Sequence, residues 1–220
     1  MKINIAIDGP SGAGKSTISD NLAQKLGYVH LDTGAMYRSV AYSALKCGLS
    51  IDDEENISKM IENDFDLDLK NDGTIICNGE DITNKIRTNE MSLRASDVSK
   101  LLKVREALVK AQQKIASKKG YIVDGRDICE VVLPDAEVKI YLTASPEDRT
   151  KRRLLQNIEK GIEGDYKTIL DDIIKRDYQD SHREFSPLRK ADDAIEIDSS
   201  NLSIDDVVNR ILVLANEKIK

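Results

Sequence analysis

Apolar residues fall into short blocks separated by stretches with helical spacing. Ile3 to Ile7 is a short apolar segment that ends at Asp8 and a glycine-rich turn, the pattern of a buried parallel strand feeding a helix. That helix is predicted over about Lys15 to Leu26. Tyr28 to Leu31 reads as a second strand, and Met36 to Leu45 carries helical spacing until Gly48 stops it. Tyr121 to Asp124 and Val138 to Leu142 read as further buried strands, and so does Ala194 to Ile197. Leu101, Val104, Leu108, Ala111 and Ile115 recur at spacings of three and four, as do Ile204, Val207, Ile211 and Ala215, so each set is the core face of a helix. Ser145-Pro146-Glu147-Asp148 supplies an N-cap, a proline at the first helical position and early acids, and Ser203-Ile204-Asp205-Asp206 resembles a capping box. Strands alternating with helices imply an α/β fold with a parallel β-sheet flanked by helices on both faces.

One region breaks the alternation. Phe65 to Leu69 shows period two, Asn71-Asp72-Gly73 is a turn, Thr74 to Cys77 can pair back, and Asn78-Gly79 is another turn. This predicts a small antiparallel insert. The chain has no internal repeat, low-complexity tract or flexible linker, so a single unit is expected: a core at about 1–62 and 119–220, and an insert at about 63–118.

Composition narrows the function classes. With 220 residues, 40% hydrophobic and 33% charged, the chain can build a core and is neither disordered nor fibrous. Lys and Arg total 33 against 39 Asp and Glu, a net charge of −6, so no global pull toward a polyphosphate backbone exists. Aromatics are 4% with no Trp, which leaves little for stacking single-stranded nucleic acid. Cys47, Cys77 and Cys129 are odd in number and lack metal-ligand spacing, which points to a reducing compartment. Met1-Lys2 leads straight into the first strand, and no run approaches the length of a membrane span. A cytoplasmic monomer without a nucleic-acid or membrane partner is expected.

The chemistry is carried first by Gly9-Pro10-Ser11-Gly12-Ala13-Gly14-Lys15-Ser16, which satisfies G-x-x-x-x-G-K-[ST] between a predicted strand and a predicted helix. Its glycines let successive N–H groups turn inward, and the helix start adds partial positive charge, so the loop can cradle di- and triphosphate oxygens. Lys15 is the point charge at the outer phosphates, and Ser16 can offer its hydroxyl to Mg²⁺. Asp124, at the end of Tyr121-Ile122-Val123, has the form of the acid that completes the Mg²⁺ shell, although acids also end buried strands simply where the chain meets solvent. Asp8 either orients the loop or ends its strand with a local hydrogen bond. A switch GTPase needs an N-K-x-D segment, and Asn84-Lys85-Ile86-Arg87 lacks the Asp. A kinase for a small acceptor needs a second anion site instead, for which arginine's planar fork is suited. Arg38, Arg126, the run Arg149, Arg152 and Arg153, and Arg176 with Arg183 are the candidates. His30 and His182 show no partner spacing and receive no catalytic role, and Cys129 reads as a bystander thiol.

Several segments then resemble bacterial cytidylate kinases, nucleoside monophosphate kinases of the P-loop kinase class. They are Gly9 to Thr17, Asp32-Thr33-Gly34-Ala35-Met36-Tyr37-Arg38, Asn78-Gly79-Glu80-Asp81-Ile82-Thr83 with Ile86-Arg87-Thr88, Val104-Arg105-Glu106-Ala107-Leu108, Asp124-Gly125-Arg126-Asp127, and Arg176-Asp177 through Asp180, Arg183 and Pro187-Leu188. The resemblance spans nearly the whole chain in order. It implies transfer of the γ-phosphoryl group of ATP, with Mg²⁺, to CMP or dCMP in pyrimidine nucleotide metabolism, and a short helical lid at about 149–166 that includes Arg149, Arg152 and Arg153. By matched position Gly9 to Thr17 and Arg149 bind the donor, and Lys15, Arg126, Arg153 and Arg183 are the catalytic cations. Thr33, Tyr37, Arg38, Arg126 and Arg183 line the acceptor phosphate and sugar, with Arg176 and Asp180 near the ribose. Ser96, Arg105 and Asp127 read cytosine, and Ser16 and Asp124 hold the metal. Two departures stand out. Cys129-Glu130 occupies a place where the family pattern continues Gly-Thr, which predicts a negative charge near the anion site and weaker acceptor binding. Leu102 stands where a proline is expected, which leaves the reach of Arg105 open. A kinase for another small acceptor (UMP, AMP or a shikimate-like alcohol) and a non-catalytic nucleotide sensor are the competing readings.

Overall fold

In a computed structural model of the chain, residues 1–70, 72–159, 161 and 163–219 are described. Asn71 of the predicted turn, and Lys160 and Ile162 of the predicted lid, lie outside them. The elements run β1 (Ile5–Asp8), α1 (Lys15–Leu26), β2 (Val29–Asp32), α2 (Thr33–Lys46), α3 (Glu54–Asp64), β3 (Leu67–Leu69), β4 (Ile75–Cys77), β5 (Glu80–Asp81), α4 (Asn89–Val98) and α5 (Leu102–Ala116). They continue with β6 (Tyr121–Gly125), a π-helical turn (Ile128–Val132), β7 (Val138–Thr143), α6 (Pro146–Glu159), α7 (Tyr166–His182), β8 (Ile195–Asp198) and α8 (Ile204–Lys218).

Five strands form a parallel sheet in the order β2-β6-β1-β7-β8, and β3-β4-β5 form a separate antiparallel sheet. Every residue of β1 is buried because both of its faces are covered. Ile5 and Ile7 face Ile18, Leu22, Val208 and Ile211 from α1 and α8. Ala6, with Leu31 and Val123 on the neighbouring strands, faces Val40, Val104 and Leu108 from α2 and α5. A continuous apolar strand is therefore the right sequence for this central position. The antiparallel sheet closes a small core of its own, in which Ile75, Cys77, Ile82 and Ile86 pack against Ala35 of α2.

Most predicted elements lie within a residue or two of their expected bounds, and the differences trace to caps. α2 starts at Thr33 rather than Met36 because Asp32 accepts from Ala35 N at 2.8 Å. The Ser203–Asp206 capping box forms as expected. The periodicity did not disclose α3, α4, α7, β5 or the π-helical turn. α3, α4 and α7 begin at Asp53, Thr88 and Asp165, each accepting a backbone N–H with its side chain. Each buries only a few side chains, three in α7, so its apolar stripe is narrow. Among the described residues no helix is long and apolar enough to cross a membrane. The three cysteines are free, with Cys77 and Cys129 buried.

Parallel strands all end on the same edge, and this edge collects the acids. Register pairs Asp32 with Asp124 and Asp8 with Gly125, so the carboxyl ends of β2, β6 and β1 stand side by side beneath the glycine-rich loop.

Candidate active site

The loop from Gly9 to Gly14 turns back over β7. A Cβ at Gly9, where φ is +151°, would sit 1.9 Å from Leu142 O, so a side chain is excluded on both steric and conformational grounds. Lys15 opens α1 and folds back on the loop, its Nζ donating to Gly9 O at 2.7 Å and Pro10 O at 2.8 Å. Burial and the nearby Arg126 push its ammonium down to about 7. Ser11 to Thr17 line a cavity of about 780 Å³.

Three side chains brace the loop from outside that cavity or from its rim. Asp8 accepts from Ile128 N and Cys129 N, both at 2.8 Å, so it ends its strand in local hydrogen bonds that tie β1 to the π-helical turn. Burial raises its carboxyl to about 6. Arg149 lies behind the loop, donating to Ser11 O at 3.1 Å and Ala144 O at 2.9 Å while pairing with Asp177 at 2.6 Å. Arg152 donates to Ala13 O at 3.2 Å and to Ser199, on the side of the cavity next to the glycine-rich loop. Arg153, by contrast, faces the cavity and reaches Asn89 of α4 on its opposite wall.

Ser16 Oγ donates to Asp124 Oδ2 at 3.0 Å, a pairing that spans 108 residues. Asp124 Oδ1 is met by His30 Nε2 at 2.8 Å, and His30 Nδ1 meets Asp20 Oδ1 at 2.7 Å. His30 therefore has partners, against the sequence expectation, because β2 lies beside β6. Facing a carboxylate on each ring nitrogen, the imidazole must carry both N–H groups; burial opposes that charge, but the bonds to Asp124 and Asp20 raise it to about 10. His30 in turn holds Asp124 below the usual carboxylate range despite burial. Among the described residues no group of three His, Cys, Asp or Glu side chains could hold a metal by itself.

The other half of the cavity is lined by guanidinium groups. Arg38 pairs with Asp32 at 2.8 Å, Arg126 donates its Nε to Asp180 Oδ2 at 2.8 Å, and Arg176 reaches Ser11 Oγ at 3.2 Å. Arg183 donates to Ser186 O at 2.6 Å and Ser99 Oγ at 3.3 Å. Arg38 Nε, Arg176 Nε and Arg183 Nη2 are buried without a hydrogen-bond partner. Thr33 Oγ1 donates to Asp124 O at 2.7 Å, which ties the start of α2 to β6. Asp180 stays ionised, held at about 2 by Arg126 and Arg176 although burial opposes its charge. Burial and Arg126 depress Arg176 to about 10. Arg38, Arg126, Arg176 and Arg183 share the carboxylates of Asp32, Asp127 and Asp180, so a further anion among them is electrostatically favoured.

At the far end Arg105 and Asp127 form a buried pair, and Arg105 also points toward Tyr37 OH at 3.4 Å. Burial raises the Tyr37 phenol to about 12, so it remains a neutral donor. Ser96 Oγ lies beside them, 3.0 Å from Asp180 Oδ1. The structure thus brings Ser11 to Thr17, Thr33, Tyr37, Arg38, Ser96, Asp124, Arg126, Asp127, Arg153, Arg176, Asp180 and Arg183 to one cavity, with Arg105 directly behind Asp127. Gly9 and Pro10 present carbonyls to Lys15, and Arg149 stands at the back of the loop. Arg152, an expected lid residue, also lines the cavity, as do Asn89 and Ser99, which were not singled out in the sequence.

The two departures resolve locally. Glu130 turns to Arg189 at 2.8 Å, so its charge is spent at the surface and not on the anion site. Leu102 starts α5 without a proline and Arg105 still reaches Asp127. Cys129 is buried with its thiol pushed up by burial and by Asp8, and His182 stacks on Tyr178 at 4.0 Å.

A phosphate-cradling loop on the central strand of a parallel sheet, facing an arginine-lined pocket, defines a P-loop kinase. The comparisons then narrow the class. The family model described as cytidylate kinase matches residues 5–217. The cytidylate kinase of Caldicellulosiruptor bescii is 54% identical over 100% of this chain and 98% of its own, and that of Bacillus subtilis 47% identical over 99% and 98%. An uncharacterized protein of Eubacterium ventriosum shares the fold alone, with a TM-score of 0.54 at 16% identity over 98% of this chain and 99% of that one. The chain belongs to the cytidylate kinase family and is a kinase of CMP and dCMP.

Proposed function

We propose that the two halves of the cavity hold Mg·ATP and the acceptor so that the γ-phosphoryl group passes in line to the 5′-phosphate of CMP or dCMP, giving ADP and CDP or dCDP. The observation that carries this reading is the convergence of Arg38, Arg126, Arg176 and Arg183 on the cavity that the glycine-rich loop also lines, with Arg38 Nε, Arg176 Nε and Arg183 Nη2 buried and lacking a hydrogen bond. A buried donor left unpaired costs about 1–3 kcal/mol, so a ligand oxygen is the natural partner.

The donor triphosphate lies on the amides of Gly9 to Gly14 and Lys15 swings from Gly9 O and Pro10 O to its outer oxygens. Ser16 Oγ and an Asp124 oxygen are hard oxygen donors 3.0 Å apart and suit Mg²⁺, which when bound neutralises charge on the outer phosphates. Arg152 and Ser199 face the base end of the donor. Arg38, Arg126 and Arg183 hold the acceptor phosphate, with Arg176 and Asp180 at its sugar, and Arg153 closes from α6. Charge spread over three equatorial oxygens in a loose transition state is stabilised by such cations, with no covalent intermediate. Asp127 Oδ1, 3.8 Å from Arg183 Nη2, accepts from the cytosine amino group, and Arg105 fixes the carboxylate through its other oxygen. The insert around β3 to α4 then belongs to acceptor binding, and 149–166 acts as the lid. The same proposal includes a monomeric state and a cytoplasmic location, the second of which suits three free thiols.

A coupled assay of ADP release over CMP, dCMP, UMP, AMP and shikimate tests the proposal. CMP and dCMP dominate if it is right; faster turnover of any other acceptor rejects the specificity.

A further inference from the structure

Gln179 lies outside the cavity, half-buried on α7, directly behind Ser96. Its Nε2 donates to Ser96 Oγ at 2.8 Å and to Asp97 Oδ1 at 3.2 Å. Ser96 Oγ in turn donates to Asp180 Oδ1 at 3.0 Å. A carboxylate only accepts, so each end of this chain has its direction imposed. Asp97 requires the Gln179 amide to present nitrogen, and the second N–H of that nitrogen then occupies one lone pair of Ser96. Asp180, kept ionised by Arg126 and Arg176, takes the hydroxyl proton. Ser96 is left with one lone pair and no proton for the cavity it lines.

We propose that Gln179 is a specificity-determining positioning residue, which with Asp180 fixes the Ser96 hydroxyl as an acceptor only and so favours a 4-amino pyrimidine over a 4-keto one. This rests on the reading that Ser96 faces the acceptor base. Cytosine offers an N–H to the free lone pair, whereas uracil sets a carbonyl oxygen against it and leaves both acceptors unsatisfied. Without Gln179 only the bond to Asp180 holds the hydroxyl, so turning its proton toward a keto oxygen breaks one anchor instead of working against two.

The test is kcat/KM for CMP and for UMP, with KM for ATP, in the wild type, Gln179→Met, Gln179→Glu, Ser96→Ala and the Gln179→Met/Ser96→Ala double variant. Gln179→Met is expected to lower the CMP-to-UMP ratio about tenfold with KM for ATP unchanged. Gln179→Glu, whose carboxylate gives the Ser96 proton a second acceptor beside Asp180, should keep the preference for CMP. In the Ser96→Ala background the Gln179 substitution should change the ratio no further, since it acts through that hydroxyl. A ratio that stays at the wild-type value in Gln179→Met, that falls as far in Gln179→Glu as in Gln179→Met, or that falls equally with Ser96 absent, overturns the proposal. A wild-type enzyme that does not turn over CMP overturns the kinase reading itself, and is seen before any variant is compared.

Discussion

Lys15 gives a signature that a static phosphate site would not. In the free protein it is buried against Gly9 O and Pro10 O, and burial together with Arg126 lowers its ammonium from 10.5 to about 7. At pH 8 a group with that value is about nine-tenths neutral. A triphosphate brought within reach supplies the missing counter-charge and lifts the ammonium back toward its free value, so binding ATP at pH 8 should take up about 0.9 proton and at pH 6 about 0.1. Calorimetric titration of ATP in two buffers of different ionisation enthalpy reads that number directly. Lys15→Met should abolish the uptake and lower kcat about 10²- to 10³-fold while leaving the protein folded. Its effect on stability has a definite sign. Because the folded-state value lies below the unfolded one, the native state binds fewer protons between about pH 7 and 10.5, and stability rises with pH across that window by at most about 1.4 kcal/mol per unit. Lys15→Met should flatten that rise in urea titrations. Binding heats at pH 8 that do not depend on the buffer, or that depend on it equally in Lys15→Met, would refute the reasoning.

Two further outcomes follow from the site. Asp127→Asn should raise KM for CMP about tenfold while KM for ATP changes less than about twofold, because the proposed reading sets Asp127 against the acceptor base alone; equal changes in both constants in steady-state assays would count against it. His30→Gln removes a buried imidazolium between Asp20 and Asp124 and should cost about 3 kcal/mol at pH 7. The folded-state value of His30 is raised, so the stabilisation it gives is fully present below about 6.5 and lost as pH rises through about 10. Urea titrations from pH 6 to 10.5 that show the same His30→Gln deficit throughout would exclude this linkage.

Much of the fold was legible along the chain because the information is local. The run Ile3 to Ile7, the glycines after it and the spacing from Lys15 to Leu26 specify strand, turn and helix within two dozen residues, and β1 and α1 lie where that pattern puts them. α7 was not legible, since its charged sequence buries only Ile169, Ile173 and Asp180, yet it carries Arg176, Gln179, Asp180 and, at its end, Arg183. The arginines were candidates by residue type and by family resemblance, while their convergence on one cavity depends on α7 packing against α6 and α4.

By itself, then, the sequence settled the parallel α/β class, the phosphate-cradling loop and the family, because periodicity and short motifs are properties of consecutive residues. Only the tertiary structure decided that His30 bridges Asp20 and Asp124, that Glu130 spends its charge on Arg189, and that Gln179 stands behind Ser96. Those contacts join residues 10 to 94 positions apart, and parallel strand order with helix packing, which no local pattern encodes, sets which of them meet.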